Sequence, residues 1–148
     1  MNFVKGSGCW LEDDTGKKYL DCLAGIAVVS VGHANPSVNA AINDQLSKIG
    51  HVSNLFWTEP QALLAKKLNE ITGYGKIFFA NSGAEANECA VKLVRKWAHQ
   101  SFGDSTSKTK ILCAENSFHG RTLGTLPATG QPAKWKGFAP LGLSLIHI

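Results

Sequence analysis

Apolar positions change their spacing along the chain, and each spacing predicts a different element. Trp10 to Glu12 and Lys17 to Leu20 flank Asp13-Asp14-Thr15-Gly16, which reads as a β-hairpin with a Gly-containing turn. Residues 23–31, LAGIAVVSV, are apolar and contain small residues. At Asn35-Pro36 the spacing becomes helical, with Asn as cap and Pro at the first helical position. Val38, Ile42, Leu46 and Ile49 supply its apolar face, and Gly50 stops it. A second helix is expected from Thr58 to Gly73, with Leu64, Leu68 and Ile71 inward. Ile77 to Ala80 read as a buried strand end. A turn follows at Asn81-Ser82-Gly83, and then a helix over 84–100 with Ala86, Ala90, Leu93, Val94 and Trp97 on one face. After a looser stretch, Gly103 to Thr109, Lys110 to Glu115 read as another buried strand. Strand, helix and strand predict a βαβ-like unit of a parallel sheet, hence an α/β fold.

Composition narrows the class. A hydrophobic share of 44% and a charged share of 18% are ordinary for a globular chain. The longest weakly polar run, Cys22 to Val31, is too short for a bilayer, which needs about 20 residues. The N-terminus lacks a basic start followed by an apolar core, so no secretion signal is read. The net charge of +4 is scattered, and no basic stripe with interleaved aromatics points to nucleic acid. Cys9, Cys22, Cys89 and Cys113 form no C-x-x-C pair, and the five histidines show no H-E-x-x-H, so no metal is expected. Unpaired cysteines fit a reducing cytoplasm.

Two segments carry candidate chemistry. The turn at Ser82-Gly83-Ala84 leads from a strand into a helix, whose first N–H groups lack intrahelical partners and can hold an anion such as a phosphate. Ser82 and Glu85 also fit an S-x-x-E capping box, worth about 0.5–2 kcal/mol with no ligand at all. Both readings stay open on spacing. The second segment, Phe118-His119-Gly120-Arg121-Thr122, leaves the end of the next strand, where open α/β sheets bind ligands. Phe118 offers a flat apolar face, and Arg121 a planar fork for a carboxylate. The plainer alternative is a core Phe and a solvated or phosphate-pairing Arg.

NSGAEANE, AENSFHGRT and ATGQPAKWKGFAPL, in that order, resemble the class III aminotransferases that use pyridoxal 5′-phosphate (PLP). KGSGCWLEDDTGKKYLDCLAGIAV, VGHANPSV and HVSNLFWTEPQ match the same family upstream, so the resemblance runs from about Val4 to Leu141. It implies the start of the fold type I PLP-dependent transferase large domain, preceded by an N-terminal α+β segment. Residues 1–50 would be that segment, 51–140 the first part of the PLP-binding domain, and 141–148 an unassigned tail, non-native from Leu143 on.

The resemblance also implies roles. Ser82, Gly83 and Ala84 would hold the PLP phosphate, and Phe118 would stack on the cofactor ring. Arg121 would bind the substrate α-carboxylate. His119 receives no chemistry and is expected to support the loop by hydrogen bonding. The family's Schiff-base lysine lies downstream of FHGRT and has no counterpart here, so the chain is expected to be part of an enzyme and inactive alone. It is also expected to expose apolar surface that the rest of the protein would cover. The nearest branch implies transfer of the δ-amino group of N-acetylornithine to 2-oxoglutarate in arginine biosynthesis, by a cytoplasmic homodimer. Ornithine, succinylornithine or 4-aminobutyrate would be the donor in other branches. Ile26 in AGIAV speaks against the ornithine enzymes, which tend to carry a Tyr there. An inactive phosphate-ligand binding domain is the remaining alternative.

Overall fold

The computed structural model describes residues 1–142 and 145–147. The chain divides into two compact units, Met1–Leu64 and Ala65–Ile148.

In the first unit the expected hairpin forms and gains a strand. β1 (Phe3–Ser7), β2 (Trp10–Asp13) and β3 (Lys18–Leu20) make an antiparallel sheet in that order. Asp13 fixes the β2–β3 turn. One carboxylate oxygen accepts from the Thr15 amide at 3.0 Å, the Thr15 hydroxyl at 2.6 Å and the Lys17 amide at 3.0 Å. The other accepts from the Tyr19 hydroxyl at 2.8 Å. Gly16 takes a φ of +84°, a left-handed conformation that glycine adopts without a Cβ clash.

The apolar run 23–31 is less regular than its composition suggests. Four residues, α1 (Ala24–Ala27), turn with left-handed backbone, at φ +49°, +64°, +62° and +61°. Such geometry costs roughly 1–2 kcal/mol per non-glycine residue. Asp21 offsets part of that cost by accepting from the Leu23 and Ala24 amides at 3.0 and 2.8 Å. Its other oxygen meets His33 Nε2 at 2.6 Å, and these contacts hold the Asp21 carboxyl below its ordinary range. α2 (Pro36–Lys48) starts as expected, with the Asn35 side chain accepting from the Ser37 and Val38 amides. It ends at Lys48, because Ile49 is already extended at φ −162°, before Gly50 is reached.

α3 (Glu59–Thr72) ends where Gly73 turns left-handed at φ +74°. α4 (Gly83–Phe102) ends similarly at Gly103, φ +85°. Between them the expected strand at 77–80 is absent. Among the described residues nothing pairs with that segment, and without a ladder its backbone groups have no strand to join. Phe78 is 70% exposed. The βαβ pairing is therefore not formed. β4 (Ile111–Cys113), shorter than the expected 110–115 strand, instead pairs in parallel with β5 (Leu145–His147). Of the tail 141–148, residues Leu143, Ser144 and Ile148 lie outside the described residues.

The face that α4 buries also differs from expectation. Ala98 is buried, and Ala84, Asn87, Glu88, Val91 and Arg95 on the same stripe are half-buried. Leu93, Val94 and Trp97 are exposed at 65%, 48% and 59%. On this stripe Asn87 and Arg95 donate to the His119 and Thr109 carbonyls, and Glu88 accepts from the Thr122 hydroxyl. Residues 125–130, TLPATG, are buried throughout.

The chain exposes 11558 Å². Two separate compact bodies of these lengths would together expose about 8,900 Å² by the usual size scaling. Large apolar residues are among the exposed ones, including Trp57, Leu55 and Ile26 at 93%, 84% and 81% exposure. Surface of this kind commonly marks an interaction face.

Candidate functional site

All five residues singled out by sequence lie in the second unit, at two segments that the fold brings together. The first is the start of α4. Ser82 has extended backbone, and its hydroxyl oxygen accepts from the Glu85 amide at 3.2 Å. The Ser82 carbonyl accepts from the Ala86 amide at 3.0 Å. The Glu85 carboxylate closes back on side chains, accepting from the Ser82 hydroxyl at 3.2 Å and the Asn81 amide at 3.4 Å. The Ser half of the capping box is thus present, and the Glu half bonds a hydroxyl rather than a backbone N–H. Among the described residues the Gly83 and Ala84 N–H groups have no partner. A Cβ placed on Gly83 would meet nothing within 4 Å, so packing within the chain does not require glycine there.

The second segment is the loop after β4. Gly120 joins it to the helix. Its φ is +121°, and a Cβ there would lie 2.7 Å from the Ala84 Cβ and 2.5 Å from the Thr125 hydroxyl. The loop backbone therefore rests on the first turn of α4, in contact only glycine allows. Phe118 and Arg121 flank this contact. Both are exposed, Phe118 at 56%, and the Arg121 guanidinium carbon sits 5.8 Å from the Phe118 ring centre. Among the described residues no carboxylate pairs with Arg121.

His119 supports the loop, as expected. Its Nδ1 lies 2.8 Å from the Ala128 carbonyl, which can only accept, so Nδ1 carries the proton. Behind it stands Thr129, fully buried, whose hydroxyl accepts from the His119 amide at 3.0 Å and donates to the Gly120 carbonyl at 2.9 Å. Trp135 Nε1 donates to the Leu126 and Thr129 carbonyls at 3.1 and 2.8 Å. A cavity of about 220 Å³ lies beneath, lined in part by Asn87, Val91, Cys113 and His119. Burial pushes the Cys113 thiol up, which suits a packing cysteine rather than a nucleophile.

Sequence reasoning missed the residues that join the two segments. Asn87 Nδ2 donates to the His119 carbonyl at 2.9 Å, and the Glu88 carboxylate takes a short hydrogen bond from the Thr122 hydroxyl. The available signal was their place one turn after Ala84, on the stripe that faces the loop. Among the described residues no cluster suits a metal ion, and no helix is long and apolar enough to cross a membrane.

The family model described as Aminotransferase class-III matches residues 1–147. Acetylornithine aminotransferase of Prochlorococcus marinus subsp. pastoris is 51% identical over 144 residues, 95% of this chain and 34% of the relative. Succinylornithine transaminase of Citrobacter koseri is 49% identical over 144 residues, 97% of this chain and 35% of the relative. Ornithine aminotransferase of Toxoplasma gondii superposes with a TM-score of 0.92 at 28% identity, over 99% of this chain and 35% of that one. That crystal structure is described as having partial occupancy of PLP at its active site. The chain thus spans about a third of the length of the relatives it matches.

Proposed function

Because the chain belongs to the class III aminotransferase family, we propose that it is the N-terminal third of a PLP-dependent aminotransferase acting on an N-acylated ornithine, with N-acetylornithine as donor and 2-oxoglutarate as acceptor. One observation carries the reading: two open amides, on Gly83 and Ala84, adjoin the loop that presents Phe118 and Arg121.

The residues present suit PLP. Its phosphate would take the Gly83 and Ala84 N–H groups at the positive end of α4, with the Ser82 hydroxyl beside them. The open space over Gly83 suits close approach of an anion to the backbone. Phe118 would cover a ring face, and Arg121 would pair a substrate carboxylate through two parallel hydrogen bonds. When bound, PLP supplies the electron sink for amino-group transfer. The chain's own part is to anchor and orient. The lysine that would hold the cofactor covalently, the dimer partner and the biosynthetic context belong to the whole protein. The capping bonds of Ser82 do not compete, because they use the Glu85 and Ala86 amides and leave the two earlier ones open.

The donor is the finer point. Identities of 51% and 49% to the acetylornithine and succinylornithine enzymes do not separate these two. Ile26, on the left-handed turn and 81% exposed, is the residue we set against free ornithine. The test compares N-acetylornithine, ornithine and 4-aminobutyrate with 2-oxoglutarate, using protein from a gene extended to family length. N-acetylornithine is expected to give the highest kcat/KM, and the 148-residue chain alone is expected to form no glutamate. Preference for 4-aminobutyrate would sink both the donor assignment and the role of Arg121.

A further inference from the structure

We propose that Asn87 and Glu88 are positioning residues, which bolt the 118–122 loop to α4 and so hold Phe118 and Arg121 in register with the Gly83 and Ala84 amides. The ligand side of this inference rests on the phosphate reading above. The mechanical side does not.

Side chains hold the loop from two sides. From behind, Thr129 satisfies the His119 amide and the Gly120 carbonyl with a single hydroxyl. That attachment comes from the loop's own continuation and carries no information about the cradle. From the front, Asn87 holds the His119 carbonyl and Glu88 holds the Thr122 hydroxyl, across 32 and 34 residues of chain. These two side chains stand on the helix whose first turn carries the open amides, only four or five residues on from Gly83. About 1.5 Å of rise per residue puts them roughly 6–7.5 Å along the axis, on a rigid element. Among the described residues, these bonds and the Gly120–Ala84 contact tie the loop directly to the helix that carries the cradle.

Glu88 has a directional role. A carboxylate accepts, so the Thr122 proton is committed to it. The Thr122 oxygen is then free to accept, and the Thr125 hydroxyl, 2.9 Å away, must donate. The Thr125 amide also points at that oxygen, at 3.1 Å. Glu88 thereby sets the proton order of a chain that ends in the buried Thr125, beside Gly120. Gly124 packs close by, since a Cβ there would lie 3.0 Å from the Glu88 carboxyl group.

The test uses the 148-residue chain and two readouts. The first is amide hydrogen exchange at His119, a group that bonds neither Glu88 nor Thr122. Asn87→Ala, Glu88→Ala and Thr122→Val are each expected to speed it about tenfold, the change that loss of a bond worth about 1.4 kcal/mol produces, while Ala98 inside α4 is unchanged. Thr122→Ser, which restores the hydroxyl at an exposed position, is expected to return the wild-type rate. The second readout is calorimetric binding of inorganic phosphate and of pyridoxine 5′-phosphate, which has no aldehyde to react with lysines. The variants are expected to weaken pyridoxine 5′-phosphate about tenfold and to leave inorganic phosphate unchanged. Unchanged His119 exchange in all three variants overturns the proposal, as does faster exchange with equal weakening of both ligands. A wild-type chain that binds neither probe overturns the phosphate reading, and the exchange result then decides the bolt by itself.

Discussion

The β2–β3 turn and the 118–122 loop are both held by polar side chains, but across very different lengths of chain. Asp13 gathers its four partners from residues no more than six positions away. The loop takes its bonds from Thr129, ten positions on, and from Asn87 and Glu88, more than thirty back. A local knot forms wherever its short sequence occurs, and it leaves its neighbours free to do little else. A distant one forms only when a helix and a loop have already met. It can therefore place a flat ring and a cation against a helix terminus, which a hairpin turn cannot do. In this chain the local knot is structural and the distant one builds the candidate site.

The largest effect should come from forcing the loop off its helix. Gly120→Val puts a branched side chain into a left-handed position, with Ala84 and Thr125 already at 2.7 and 2.5 Å from its Cβ. Backbone strain of about 1–3 kcal/mol adds to overpacking of about 1–3 kcal/mol. Amide exchange at Leu126, Ala128 and Thr129 should rise by two orders of magnitude or more, while the Thr15 and Lys17 amides of the hairpin keep their rates. Equal loss in both places would mean that the two regions are not independent, and the comparison would fail.

The same contrast decides what a reader of the sequence could see. Asn35-Pro36 and Gly73 announce helix ends by local chemistry and stand where expected, while α4 runs two residues past the expected 100 to stop at Gly103. Ser82 as a cap was legible for the same reason. The strand at 77–80 was not, because an apolar run becomes a strand only beside a partner, and among the described residues it has none. The face of α4 was misread because apolar spacing favours Leu93, Val94 and Trp97, whereas the helix packs through Ala84, Asn87, Glu88, Val91 and Ala98. Nothing local marks TLPATG as a core, since it holds two threonines and two breakers. The hydroxyls of its two buried threonines are taken up by the loop, Thr129 by the Gly120 carbonyl and Thr125 by the Thr122 hydroxyl. The apolar face of Leu93, Val94 and Trp97 is left exposed.

A smaller effect, confined to the hairpin, should follow pH. The Thr15 and Tyr19 hydroxyls hold the Asp13 carboxyl down at about 2, against an ordinary 3.8. A lowered folded value means that the stabilisation is whole above the unfolded value and drains away as pH falls from near 4 through 2. Tyr19 has the opposite sign. Its bond to Asp13 raises it above 10.0, so its share is whole below that and is lost as pH climbs through the raised value. Tracking the Thr15 and Lys17 amides from pH 2 to 6 should show the turn loosening at the acid end. Asp13→Asn should flatten that profile and leave His119 untouched. An acid transition that survives Asp13→Asn would assign it to another group, with Asp21, also lowered and bonded to His33, as the next to test.

The smallest structural effect belongs to Gly83, and its sign is what makes it useful. Gly120 and Gly83 are both glycines at the site, yet only Gly120 is crowded by the chain itself. A Cβ on Gly83 meets nothing within 4 Å, and its backbone is helical. Alanine there should therefore stabilise the first turn of α4, by a few tenths of a kcal/mol up to about 1 kcal/mol. If the position is a glycine only by chance, nothing else should change. If the Gly83 and Ala84 amides hold a phosphate, the new methyl stands where the anion must approach the backbone. Binding of pyridoxine 5′-phosphate should then fall by about tenfold or more, the equivalent of one charge-assisted hydrogen bond, and Gly83→Val should abolish it. Urea unfolding and calorimetry on the same preparations give both numbers. Stability rising while affinity falls assigns the turn to a ligand, whereas stability rising with affinity unchanged leaves Ser82 as a cap and nothing more.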